Sequence, residues 1–197
     1  MDATRSMARP AALSWRYAGI GAAIGAAAAI VMAMYAMIAA ATYQGTGFFT
    51  PLYHIASSVL DPDDMMRSME AAAAGDAFLF SAGPAGVGFG LHLLTGAFWG
   101  AIFGLIVLMA RLHGVVGLIG GVVYGLLVLL FMAFVGLPIV ADVFGGGEPI
   151  SDMPRLAGWG TFTIEHAVYG GVLGLWPLLR RSTQVAGASR RAERAAA

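Results

Sequence analysis

No charged residue occurs between Arg16 and Asp61, between Asp76 and Arg111, or from Leu112 to Ala141. A fourth apolar stretch, Trp159 to Leu179, contains a single charge, Glu165. A helix needs roughly 20 apolar residues to cross the hydrocarbon of a bilayer, and each of these stretches supplies them. Loops and open sheet edges facing lipid would leave backbone polar groups without partners, so the stretches must be helical. The sequence therefore predicts an all-α membrane protein, a bundle of four transmembrane helices. The expected spans are about 17–43, 87–110, 115–135 and 159–179. They form one domain over 1–181, with an outer cap over 44–86 and a cytoplasmic tail over 182–197 that is rich in Ala and Arg. That tail is expected to be disordered or to lie on anionic lipid.

Composition agrees. Hydrophobic residues make up 59% of the chain and charged ones 11%, against about 25% charged in soluble domains. The net charge is zero and there is no Cys. Nucleic acid is thus not an expected partner, and disulfides, iron–sulfur clusters and thiol catalysis are excluded. The basic start (Arg5, Arg9, Arg16) and Ala39-Ala40-Ala41 resemble a secretory signal with its cleavage site. The apolar region is much longer than the roughly 7–15 residues of a signal, however, and reads as a retained helix.

All eleven basic residues are arginines. With the N-terminus inside, nine of them (Arg5, Arg9, Arg16, Arg111, Arg180, Arg181, Arg190, Arg191, Arg194) fall on the cytoplasmic side and two (Arg67, Arg155) outside. The positive-inside rule then places both termini in the cytoplasm, as expected of a multi-pass protein of a bacterial inner membrane. In the outer loop Gln44 to Gly86, Thr50-Pro51 reads as an N-cap and first helical residue, and Asp61-Pro62-Asp63-Asp64 as a cap, Pro at the first position and two acids on the positive helix end. The expected apolar faces are Leu52, Ile55, Ala56 and Val59 in the first helix and Met65, Met66 and Met69 in the second. These are short surface helices capping the bundle. The other outer loop, Gly136 to Gly158, reads as a connector rich in turns.

Small residues recur every fourth position in every span. They include Gly21 and Gly25 in the first, Gly96, Gly100 and Gly104 in the second, Gly117, Gly121 and Gly125 in the third, and Gly170 and Gly174 in the fourth. Such stripes let helix backbones approach closely in lipid. The pattern His-x-x-x-Gly-x-x-x-Gly occurs at His92 and again at His166, hinting at two duplicated hairpins.

Ionisable groups within spans are costly and point to function. At about 1.5 Å per residue, His166 stands roughly 21 Å above Arg180, with Glu165 beside it, and His92 roughly 28 Å above Arg111. Thr95 and Tyr169 share faces with these residues, Tyr124 falls near mid-membrane, and His54 lies in the cap above. Three readings follow. The first is a structural or accessory subunit that associates with itself or with other membrane subunits through its glycine stripes. The second is a redox protein with haem or a transition metal on His92 and His166, or a metal on His54 and Glu165, since imidazole and carboxylate suit such centres. The third is a small solute or proton transporter centred on Glu165. No Lys is available for a phosphate-binding loop, and neither a His-Glu-x-x-His nor a Gly-x-Ser-x-Gly motif is present. Nothing points to hydrolase or transferase chemistry.

The stretch from Gly90 to Arg181 resembles the small bacterial inner-membrane proteins of the YagU type and related four-helix families. The likeness rests on Gly90-Leu91-His92, the glycine-rich third span, Gly136-Leu137-Pro138, Asp152-Met153-Pro154, and Glu165-His166 before Arg180-Arg181. It covers about half of the chain. It implies a small multi-helix membrane protein and carries no catalytic residue with it.

Overall fold

The computed structural model describes the backbone over residues 3–196 and side chains over 13–180. Arg5, Arg9, Arg181, Arg190, Arg191 and Arg194, which carry most of the charge asymmetry, have side chains outside that range. Among the described residues every element is a helix and there is no strand. The elements are α1 (Ala3–Ala39), α2 (Thr50–Ala56), α3 (Asp63–Ala73), α4 (Ala82–Met109), α5 (Gly114–Phe131), α6 (Leu137–Phe144), α7 (Gly147–Ser151), α8 (Met153–Leu156) and α9 (Trp159–Ala196). Wider π-helical turns, Ala40–Gln44 and Met132–Gly136, come after α1 and α5.

Three stretches are long and apolar enough to cross a membrane: Leu13–Gln44, Ala82–Met109 and Gly114–Phe144. This is a membrane protein. The side chains around these helices agree, because large apolar residues stand open to the surroundings along one side of each. Examples are Ile30, Met34 and Ile38 on α1, Leu94 and Phe98 on α4, and Ile119, Val123 and Leu127 on α5. Water would not tolerate so continuous an apolar surface, whereas lipid covers it. In α9, Thr161, Thr163, Glu165 and His166 dilute the apolar character of the first turns. Its backbone continues as helix through the Arg-rich tail to Ala196. The expected seat of that tail on lipid concerns side chains outside the described residues.

Two helix pairs make the closest contacts, α1 with α4 and α5 with α9, and α1 lies against α9 to join them. The glycine stripes form the two seams. A methyl group on Gly21 would collide with the Gly100 carbonyl and Gly104, and one on Gly25 with the Gly96 carbonyl and Gly100. On the other seam Gly121 lies against Gly170 and Gly174, and Gly125 against the His166 carbonyl and Gly170. Gly117 is the exception, facing the ring of Pro177 rather than a glycine. The stripes are thus closed within the chain, and association with other subunits would have to use other surfaces.

Toward the end of the bundle that holds Arg16, Arg111 and Arg180 a solid core fills the space between the pairs, built on Ala28, Phe103, Val107, Tyr124, Val128, Tyr169 and Leu173. The Arg180 guanidinium lies 4.9 Å from the Tyr17 ring centre and 5.5 Å from that of Trp176, fastening α9 to α1 by cation–π attraction.

The opposite end of the bundle, at the 44–86 and 136–158 loops, differs from expectation in three ways. The 136–158 connector is three short helices. Pro154 sits in the first turn of α8, where the missing N–H of proline has no partner to lose. Pro138 instead lies within helix that runs unbroken from Gly114 to Phe144, directly after the wider π turn Met132–Gly136, which accommodates the proline in the helix. The Asp61 side chain makes no capping bond to α3, and Pro62 takes the cap position itself. Finally, α2 is embedded rather than laid on the surface. Leu52, Tyr53, His54 and Ala56 are buried while Val59 is exposed, because Gly88 on α4 lets the α2 backbone rest directly on it at the Leu52 carbonyl.

Candidate functional site

Above the solid core the two helix pairs separate and leave a cavity of about 650 Å³. Its walls come from the halves of α1, α4, α5 and α9 that lie beyond that core, and its roof from α2, α3 and the α6–α8 segment. The volume lies within the roughly 300–1,000 Å³ of small-molecule sites. Most of the lining is apolar, with Met32, Met65, Met132, Val128 and Phe162 among it. Met66 and Met69 also border it, though each is exposed. Methionine is suited to such a wall because its unbranched, polarisable side chain adapts to varied shapes.

The polar residues singled out by sequence converge here. His54, His92, Thr95, Glu165, His166 and Tyr169 all line the one cavity. Tyr124 does not. It sits below, in the core, and donates its hydroxyl to the Trp99 carbonyl at 2.7 Å. Tyr169 donates to the Gly96 carbonyl at 2.7 Å. These two bonds tie α5 and α9 to α4 beneath the cavity, forming its floor.

Each lining histidine holds one backbone carbonyl. The Nε2 of His54 meets the Pro149 oxygen at 2.6 Å, the Nε2 of His92 the Ala29 oxygen at 3.0 Å, and the Nδ1 of His166 the Phe162 oxygen at 2.8 Å. A carbonyl only accepts, so in each ring that nitrogen donates. In the neutral ring the other nitrogen then carries a lone pair. For His54, burial pulls the pKa below 6.5, and the Pro149 carbonyl offsets this only in part. His54 is therefore neutral at pH 7, and its bond straps α2 to the α7 segment.

Glu165 is 6% exposed and makes no hydrogen bond or ion pair among the described residues. No fully enclosed side-chain nitrogen or oxygen is left unpaired among them either. The carboxylate oxygens of Glu165 and the second nitrogen of His166 are thus open to the cavity rather than sealed in protein. Among the described residues Glu165 is the one carboxyl group in the lining, and no Arg lines it.

The cofactor reading is weakened by the same geometry. With Nε2 of His92 on Ala29, only Nδ1 remains to bind a metal, and a flat macrocycle on Nδ1 would press against the residue's own Cβ. Among the described residues no three His, Asp or Glu side chains come together to share an ion.

Several lining groups carried no signal in the sequence. Trp99 resembles any aromatic in a span, yet its ring borders the cavity and its indole N–H has no partner among the described residues. Gln44 ends the first span and donates its amide to the Ala157 carbonyl, closing the roof. A lone amide at the end of an apolar run was the available clue. Tyr43, hydrogen-bonded to the Thr161 hydroxyl at 2.9 Å, joins α1 and α9 beside it.

Comparison with protein-family models, with curated proteins and with solved structures finds no match to this chain. The resemblance to the YagU-type proteins stands on its sequence motifs alone.

Proposed function

We propose that the chain is a four-span protein of a bacterial inner membrane, both termini cytoplasmic, that receives a small solute in its outer-half cavity and passes it inward. The carrying observation is Glu165, an unpaired carboxylate facing a cavity whose other walls are mostly apolar. An isolated carboxylate is costly there, and closing the helices upon it would be cheaper than leaving it without a ligand. The distribution of arginines supports the orientation. The close glycine seams support a fourth span at α9, because α9 is packed against α5 as tightly as α1 is against α4. The tyrosine floor supports a barrier that must open for release toward the cytoplasm, the step that gates a carrier between its two faces.

Native mass spectrometry of the protein extracted gently from its own membrane tests the reading. The expected result is a small-molecule adduct on the wild type that disappears in Ala36→Trp, which fills the cavity from α1. Unchanged thermal unfolding of that variant keeps the comparison sound. A bare mass for both proteins, or an adduct indifferent to the substitution, would sink the proposal.

A further inference from the structure

The polar groups around the cavity are of one kind. Tyr169 and the three histidines already donate to backbone carbonyls. The hydroxyls of Thr50, Ser58 and Thr95 do the same, to the carbonyls of Thr46, Ile55 and Leu91, as does the Gln44 amide to Ala157. What remains free toward the cavity, with Glu165 ionised, is mainly acceptors: the two oxygens of Glu165 and the second nitrogens of the imidazoles. Free donors are limited to the Trp99 indole N–H and the Thr46 hydroxyl. A ligand that brings only acceptors would leave most of these groups unmatched, and buried polar groups without partners are expensive. An anionic ligand would also meet Glu165 with no cationic side chain in the lining to balance it.

From this inventory we infer that the ligand is an organic ammonium ion with an apolar, aromatic-sized body. Its N–H groups donate to Glu165 and to the lone pairs of His92 and His166. Its positive charge favours the ionised form of Glu165 and balances it. Its body lies among Met32, Trp99 and Phe162, where ring faces attract cations and the apolar area is removed from water. The inference rests on the cavity reading above, and its test separates the two.

The test uses three probes of nearly one shape: phenethylammonium, phenethyl alcohol and hydrocinnamate. Their binding to the full chain in lipid nanodiscs is measured by calorimetry at neutral pH. The ammonium is expected to bind about ten-fold tighter than the alcohol, the difference between charge-assisted and neutral hydrogen bonds, and the carboxylate weakest. In Glu165→Gln the preference for the ammonium should vanish while alcohol binding persists. The ranking on the wild type decides the matter even where that variant fails to fold. Alcohol binding equal to that of the ammonium, or tightest binding of the carboxylate, overturns the ammonium assignment and leaves a ligand cavity of another class. Binding of none of the three overturns both the assignment and the cavity reading beneath it.

Discussion

The α1–α4 and α5–α9 seams are built on one plan and put to different uses. Gly21 faces Gly100 and Gly104 as Gly121 faces Gly170 and Gly174, and Gly25 faces the Gly96 carbonyl as Gly125 faces that of His166. Matched by these contacts, His166 stands where α4 has Gly96, Glu165 where it has Thr95, and Tyr169 where it has Trp99. The sequence repeat pairs the positions differently, His92 with His166. The packing is therefore out of phase with that repeat by one helical turn, about 6 Å along the axis. A stripe repeating every four residues looks the same when shifted by four, so spacing alone cannot choose the register; the contacts choose it. The lesson is that the glycine seam is a scaffold common to both halves. The charge was placed on one half alone.

The largest effects should come from breaking the scaffold, and they should be equal on the two sides. Gly100→Leu and Gly170→Leu each push a branched side chain into a backbone already in contact. Overpacking of a well-filled site costs about 1–3 kcal/mol and sometimes more, and here the obstruction is backbone that cannot rotate away. Both variants should fail to give a monodisperse folded peak on size exclusion. Gly90→Leu, where nothing lies within 4 Å of an added Cβ, should behave as the wild type. A Gly100 variant that folds while the Gly170 variant does not would show that the seams are not equivalent.

A smaller and more local effect should appear in the roof. His54 is held neutral in the fold by burial, so on acidification the unfolded chain takes up a proton before the native one does. The stability that His54 contributes is complete above about pH 6.5 and is lost as the pH falls below that value. The protection of the α2 amides against hydrogen exchange, taken relative to the intrinsic rate at each pH, should fall over that range in the wild type. In His54→Gln the α2 segment should exchange without that acid step. An acid step that survives the substitution would assign the effect to another group and remove the His54–Pro149 strap from the account.

The legibility of these features in the sequence depends on how local their causes are. Uncharged length identifies apolar helices because the cost of burying charge in lipid acts residue by residue. The glycine stripes are equally local. The 136–158 segment misled because Gly and Pro signal turns, while Pro154 opens a helix and Pro138 is carried within one by the π turn before it; the distinction depends on the residues around each proline and on packing against α5 and α9. His54 looked like a surface residue since nothing in Thr50–Ala56 reveals that Gly88, more than thirty residues away, clears room for the α2 backbone. The cavity was least legible of all. It is a space between elements, set by how far the two pairs diverge above Tyr124 and Tyr169, and no single residue encodes it. The polar residues around it were visible one by one. Their shared lack of free donors was not, because that depends on which carbonyl each of them meets.

The smallest effects should come from the floor, where the two halves meet. Tyr169→Phe removes the bond to the Gly96 carbonyl, and Tyr124→Phe that to the Trp99 carbonyl, while both rings keep their packing in the core. A hydrogen bond between helices in a membrane contributes about 0.6 kcal/mol on average, so either change should lower the unfolding midpoint only slightly. If the floor is the barrier to inward passage, however, the two variants should leak. Flux of phenethylammonium through proteoliposomes should rise in both, by a few-fold for a loss of that size, and rise further in the double variant. Two bonds acting on one barrier predict that the double change gives roughly the product of the single effects. Unchanged flux in all three, with stability reduced as expected, would mark the tyrosines as struts between the two halves and place the barrier elsewhere, in the packed layer of Phe103 and Leu173 below them.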